Sequence, residues 1–463
     1  MSYPNYHTQM YQQEQALSHI DDAAWREIVD LLPPDIIEQA RICKAFTRAR
    51  GLHDPLDLLR GIFSYVFCMG SFREVGAWAL GTGLSANGER SWAKRTRQAA
   101  DWLLWLVQTL LIAPQASEKI TLPQGFTGRV HLVDATHLCT WKRTGETRRL
   151  HCSYDLFGKR LEQVVLTDHH VGEGLRHFTF QPGDIVVGDG AYCRRQAIID
   201  QMDAGIDVVV RLHWVSAPLL HRDGITPFDL SAWLTQLDAQ KTGESDEEVS
   251  GEVEVMIKGK GRSKVVPMRL VATRLSQAAA TRAQKKRKAK ASKNGRTSRD
   301  LTIQVADWLL VLTSLSCEQW SRQQVLALYK ARWHIELLFK RIKQLVRLHR
   351  LRSGNLQSNQ SVLAAMLVGW ILMEQKANQL RANYLEKKGK RSRQPVSTWA
   401  LYAQLAQSFR SMIVGVWTWS QIEASIERLD RLLRYHPQED RPHQESELIQ
   451  HLGQIGPKGK FVS

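Results

Sequence analysis

The chain has 463 residues, 43% of them hydrophobic, and carries 63 Lys and Arg against 46 Asp and Glu, a formal net charge of +17. That length allows a large core and several domains, and the basic excess points to a polyanionic partner, most often nucleic acid. Six cysteines without a C-x-x-C pair argue against a zinc ribbon and for free thiols in a reducing compartment, and the apolar runs 102–113 and 362–373 are too short to cross a bilayer. With a polar N-terminus, MSYPNYHTQMYQQEQ, in place of a signal peptide, the expectation is a cytoplasmic protein with no membrane partner.

Residues 22 to about 113 carry apolar positions at helical spacing, and Asp54-Pro55 reads as an N-cap followed by a first-turn proline. The stretch from Ser71 to Leu106 contains a short helix, a Gly-rich turn and a second helix bearing Arg90, Lys94, Arg95 and Arg97. It suits a helix-turn-helix, and equally a helical bundle with one basic face. Residues 1–124 are therefore read as a helical N-terminal region that binds DNA.

Strand character follows. Val130 to Val133 ends at Asp134, and Arg149 to Leu156 with Leu161 to Asp168 reads as a hairpin turning near Phe157-Gly158-Lys159. Asp184 to Val187 leads into Gly188-Asp189-Gly190, Tyr192 to Ala204 reads as a helix, and Val208 to Leu212 as a further strand. Residues 125–212 are thus mixed α/β, the first part of a core. Residues 213–304 read as a β-rich insertion, and the basic run over 281–300, which lacks apolar periodicity, as a solvated, mobile loop that could also lie along phosphates. Asp307 to Leu315 resumes as a buried strand, so that 305–375 completes the core, and 376–463 is a helical C-terminal region with a polar tail.

The stretch Tyr329 to Lys343, YKARWHIELLFKRIK, reads as one helix. At about 100° per residue, Tyr329, Arg332, Glu336 and Lys343 share a sector of roughly 60°, beside the apolar positions Leu328, Ile335, Leu338, Ile342 and Leu345. Asp134 and Asp189 both end predicted strands, where sites form in open α/β folds. Either alone is as well read as a turn cap, and Asp155, Asp168 and Asp184 look similar. Set against the Glu336 helix, however, the two would form a cluster of three carboxylates, which repel unless cations intervene. The cation suited to an all-oxygen site is Mg²⁺ or Mn²⁺, and two ions about 4 Å apart would serve an in-line phosphoryl displacement. His169-His170 with His177, or His137 near Cys139, match no closed zinc site. Arg211, ending a strand that enters the insertion, is a further candidate for phosphate contact.

The spacing of Tyr329, Arg332, Glu336 and Lys343 resembles the Y-x2-R-x3-E-x6-K signature of DDE transposases of bacterial insertion sequences, in the group called insertion sequence family 4. Asp134 in VDAT and Asp189 in GDGAY resemble its first two acidic motifs, and the separation of 147 positions from Asp189 to Glu336 leaves room for the insertion that this group carries there. The resemblance covers roughly residues 125 to 350. It implies a ribonuclease-H-like catalytic core interrupted by a β-rich insertion, with Asp134, Asp189 and Glu336 as catalytic, metal-holding acids for two Mg²⁺ or Mn²⁺ ions. It implies cut-and-paste transposition: cleavage of double-stranded DNA at terminal inverted repeats, strand transfer into target DNA, and synapsis by a homodimer. It assigns Tyr329, Arg332 and Lys343 to DNA phosphates and Trp308, in the strand WLLVLT, to stacking on a flipped base. The rival readings are a nuclease on the same fold without strand transfer and a non-catalytic DNA-binding protein derived from a transposon.

Overall fold

The computed structural model describes residues 22–113, 128–138, 148–239, 249–259, 261, 264–293, 295, 300–346, 355–388 and 398–415. Helices α1 (Asp22–Val29), α2 (Ile36–Ile42), α3 (Pro55–Phe63), α4 (Phe72–Gly81), α5 (Glu89–Gln98) and α6 (Ala100–Ile112) come first. Then follow β1 (Val130–Leu138), β2 (Arg148–Asp155), β3 (Arg160–Asp168), β4 (Ile185–Gly188), α7 (Arg195–Asp203), β5 (Asp207–Arg211), β6 (Leu219–Leu220) and α8 (Leu230–Ala239). The remainder is β7 (Ser250–Lys258), β8 (Val265–Arg274), α9 (Gln277–Lys293), α10 (Asp300–Val305), β9 (Trp308–Thr313), α11 (Arg322–Ala331), α12 (Trp333–Leu345), α13 (Leu356–Lys388) and α14 (Thr398–Val414). No helix among the described residues is long and apolar enough to cross a membrane.

The chain divides into two compact units; the first holds the described residues of 1–30, 46–95 and 411–463. Its α3 starts where the sequence demands: the Asp54 carboxylate accepts from the Leu56 and Asp57 amides at 2.7 and 3.0 Å, with Pro55 in the first turn. Buried Arg60 donates through Nε to the Ile413 carbonyl at 2.8 Å and lies over the Trp25 ring. Gly61 is needed because a Cβ there would lie 2.1 Å from the buried Trp92 indole. On the expected helix-turn-helix, Arg90 and Lys94 of α5 are exposed, whereas Arg95 is tied to the Arg50 carbonyl at 2.8 Å.

The second unit, 31–45 and 96–410, is mixed α/β around a nine-stranded mixed sheet in the order β3-β2-β1-β4-β5-β9-β8-β7-β6. The β1, β4 and β5 neighbours are parallel and the others antiparallel. Every residue of β4 and the Val208–Val210 run of β5 are buried, the continuous apolar pattern of strands covered on both faces. The chain leaves β1 toward β2 and β3, then returns to place β4 on β1's other side, so the sheet changes direction beside β1. That is where a crevice opens outside the carboxyl ends of parallel strands. The strands of the 213–304 stretch continue this same sheet, β8 pairing directly with β9. On the far side of β1, the β2–β3 hairpin is seated by α13, whose buried Glu374 accepts from the Leu161 amide at 2.7 Å.

Four readings of the sequence change. The basic run is not a loop at its start: Gln277–Lys293 is helical, because Ala, Gln, Lys and Arg are strong helix formers even without an apolar stripe. Asp134 lies inside β1 rather than at its end, since antiparallel pairing with β2 carries β1 on to Leu138. Helix α7 begins at Arg195, after a turn at Tyr192, and not at Tyr192 itself. The Tyr329–Lys343 segment is broken at Arg332, where the Arg332 and Ile335 amides bond three residues back, to Tyr329 and Arg332 at 3.1 and 3.2 Å. The C-terminal tail expectation lies outside the described residues beyond 415.

Candidate active site

Parallel pairing of β1 with β4 sets Leu132 opposite Val187. Two residues further along the chain stand Asp134, still in β1, and Asp189, in the turn just past β4, close enough for the charge of one to act on the other. Beyond Leu132 the parallel ladder has ended, although β1 still pairs with β2. From the β4 side, therefore, Asp134 does occupy a carboxyl edge. Asp134 accepts from the Ala135 amide and Asp189 from the Ala191 amide, both at 2.8 Å. The Asp189 bond is a turn cap, which leaves its second oxygen for other work.

Glu336 arrives from the first turn of α12, which packs on β1 with Ile335, Leu338 and Ile342 buried. Arg332, at the break before α12, joins the acids: one guanidinium nitrogen lies 2.6 Å from Glu336 and another 3.9 Å from Asp134. Tyr329 is buried, with the Arg332 guanidinium 5.8 Å from its ring centre. Burial raises the Tyr329 phenol above its ordinary range against the opposing pull of Arg332 and Arg211. Lys343, two turns beyond Glu336, donates to the Thr136 hydroxyl on β1. Arg211 ends β5, half-buried, within electrostatic reach of Tyr329.

The electrostatics record crowding of negative charge. Burial, with Asp189 and Glu173 nearby, pushes the Asp134 carboxyl up to about 7 against the relief given by the Ala135 amide and Arg332. Burial and Asp189 likewise raise Glu173. Glu173 was missed in the sequence; its signal was the Gly172-Glu173-Gly174 run in a loop held to the sheet by Arg149, which donates to the Val171 carbonyl at 2.7 Å. Carboxylate oxygens of this kind suit a hard divalent cation, although those of Asp134, Asp189 and Glu336 do not all lie within 4.8 Å of one another here.

Trp308 lies in the interior of this structure. It is 1% exposed, packed in the core with Val210 and Leu310, and the Arg274 guanidinium lies 5.8 Å from its ring centre. It starts β9 opposite Arg274 of β8, ahead of the Val311–Thr313 stretch that pairs with β5. Among the histidines, Asp168, His169 and His170 do bring ligand atoms within 4.8 Å of one another, but they are consecutive residues. His177 instead bonds the Gly172 carbonyl at 2.9 Å and His137 meets Arg149 at 3.1 Å, while Cys139 lies outside the described residues.

Residues 125–372 match the family model described as "Transposase DDE domain", a span that begins just before β1 and takes in every residue of this site. The chain belongs to that family. It is a DDE transposase, a catalytic one. It is 31% identical over 347 residues to the transposase for insertion sequence element IS421 of Escherichia coli, covering 74% of this chain and 90% of the relative. It is 31% identical over 346 residues to the InsL protein for insertion sequence element IS186A of Escherichia coli K12, again 74% and 90%. In this transposase Asp134 of β1 and Glu336 of α12, 202 residues apart in sequence, both face the Arg332 guanidinium, and Asp189 follows β4 within electrostatic reach of Asp134.

Proposed function

We propose that the protein catalyses cut-and-paste transposition of an insertion sequence of family 4 type, on a ribonuclease-H-like core, with Asp134, Asp189 and Glu336 as the acids that hold Mg²⁺ or Mn²⁺. The observation that supports this reading is Arg332, which lies 3.9 Å from Asp134 and 2.6 Å from Glu336, while Asp189 acts electrostatically on Asp134. The chemistry a pair of such ions supplies when bound is activation of the attacking oxygen and stabilisation of the leaving one.

The chain's own groups do the rest. Arg332 neutralises Glu336 before DNA arrives and is placed to turn to a phosphate once cations take over the carboxylates. Lys343, held beside β1 by Thr136, and Arg211, at the end of β5, position the strand being cut through its phosphates, contacts that orient without reading sequence. The Tyr329 hydroxyl, whose pKa burial raises, accepts from Arg332 and helps to hold that guanidinium in place. The substrates are double-stranded DNA at terminal inverted repeats and then target DNA, and two ends held together call for a homodimer.

The test is incubation of the full-length protein with Mg²⁺ and duplex DNA carrying the inverted repeats that flank its coding sequence. Joined products support transposition, cleavage without joining reduces the reading to a nuclease, and binding without cleavage refutes it.

A further inference from the structure

Helix α9 is the longest run of unopposed charge among the described residues. Its sequence, QAAATRAQKKRKAKASK, contains no acid. Arg282, Lys285, Lys286 and Lys293 are exposed, and at about 100° per residue they fall within a sector of roughly 100°. The opposite side is the packed one: Ala280 is buried, and Gln284 donates to the Asp307 carboxylate at 2.6 Å. Like charges three and four residues apart weaken a helix. Here no carboxylate among the described residues pairs with these four side chains to offset that cost.

The place of α9 gives the charge a direction. Asp307, its anchor, immediately precedes β9. Strand β9 runs antiparallel to β5, with Val311 opposite Arg211 and the Leu212 amide on the Leu310 carbonyl at 2.9 Å. The start of β9 therefore lies at the same edge of the sheet as the ends of β5, β4 and β1, which is the edge that carries Arg211, Asp189 and Asp134. Arg287, roughly 140° round α9 from the mean direction of these four and so on its inner side, is close enough to Arg211 for the two cations to oppose one another, which sets the inner side of α9 beside the end of β5.

We propose that the outer face of α9 is a phosphate-binding rail for duplex DNA, anchored at the sheet edge that carries Arg211 and holding the DNA that flanks the cleavage point. Arg282 and Lys293 lie about 16 Å apart along the helix axis, at a rise of about 1.5 Å per residue. That spans several phosphates of one strand, at about 3.4 Å per phosphate along the duplex. The inference rests on the transposase reading for its partner, and on the geometry of α9 for its place.

The test compares full-length wild-type protein with an R282Q/K285Q/K286Q/K293Q variant, glutamine preserving helix propensity. Binding of a fluorescent duplex of about 40 base pairs of arbitrary sequence is titrated without divalent metal, from about 50 to about 300 mM salt. Every phosphate that the protein ceases to neutralise lowers the slope of log K against log salt by about 0.9, so the variant's slope should fall by about 3 to 4. A charge-retaining K285R/K286R/K293R variant should keep the wild-type slope. An unchanged slope in the glutamine variant, with unchanged helical circular dichroism, overturns the proposal. So does a slope change seen with duplex RNA and not with DNA. If the slope falls while wild-type protein cuts no DNA with Mg²⁺, the rail stands and the transposition reading falls.

Discussion

Arg332 lies 2.6 Å from Glu336 and 3.9 Å from Asp134, so one guanidinium spans two of the three acids from a position where the helical path itself is interrupted. With the hydrogen-bond pattern tightened there, Arg332 is carried at a corner rather than along a continuous cylinder. The cation is thereby aimed at β1, and the acid four residues later is placed beside it.

Removal of either acid should abolish chemistry and spare binding. Asp134→Asn and Glu336→Gln are each expected to lower Mg²⁺-dependent cleavage on the order of 10³-fold, a loss of several kcal/mol of charge stabilisation. DNA affinity measured in EDTA should stay within a few-fold of wild type. Cleavage by Glu336→Gln at wild-type rate would remove that residue from the site.

Metal binding should depend on pH. Asp134 is held protonated up to about 7 by burial and its acidic neighbours, and a cation must displace that proton. The rise in melting temperature on adding Mn²⁺ should therefore be larger at pH 8 than at pH 6. Arg332→Gln, which removes a neighbour that lowers Asp134, should move this midpoint upward. A metal-induced shift that does not vary with pH would contradict the assignment.

Stability should respond to His131. Its ring is buried between Glu162 at 2.7 Å and Asp184 at 3.0 Å. Burial alone would lower its pKa, but the two carboxylates outweigh it and hold the ring protonated above its ordinary range. A group raised in the folded state contributes stability that is complete below its unfolded value, near 6.5, and is lost as pH rises through the folded value. Denaturant melts from pH 6 to 9 should show this loss, and His131→Gln should abolish it while costing about 3 kcal/mol at pH 6.

Two core substitutions separate packing from function. Trp308→Ala should destabilise the protein by about 3 to 5 kcal/mol, because the indole fills the interior. A Trp308→Ala protein that melts like wild type but fails at one DNA step would return the indole to a base-stacking role. Gly61→Ala, whose Cβ would meet Trp92, should cost about 1 to 3 kcal/mol by overpacking, read from its urea midpoint.

The strands beside the site were legible because β4 and β5 are short apolar runs closed by turn residues, and Glu336 was legible because its flanking cations recur at helical spacing. The break at Arg332 was not, since it is set by how α12 must lie on β1 and not by a proline or glycine. Helix α9 was hidden for the opposite reason: periodicity reports burial, and this helix buries little, so only its Ala and Lys propensity spoke for it. Glu173 escaped notice because a carboxylate in a loop has no period to betray it; only the fold brings it within reach of Asp189.

Strand β9 has a bearing on how the enzyme is born. It is inserted between β5, which precedes the long excursion, and β8, the last strand within it, so its slot exists only once β8 has been made. Glu336 follows β9 in the chain, and 202 residues separate it from Asp134. Contacts of such separation form late and slowly. If the three acids act together as proposed, a nascent chain on the ribosome carries two of them without the third, and DNA breakage begins only after synthesis has passed α12.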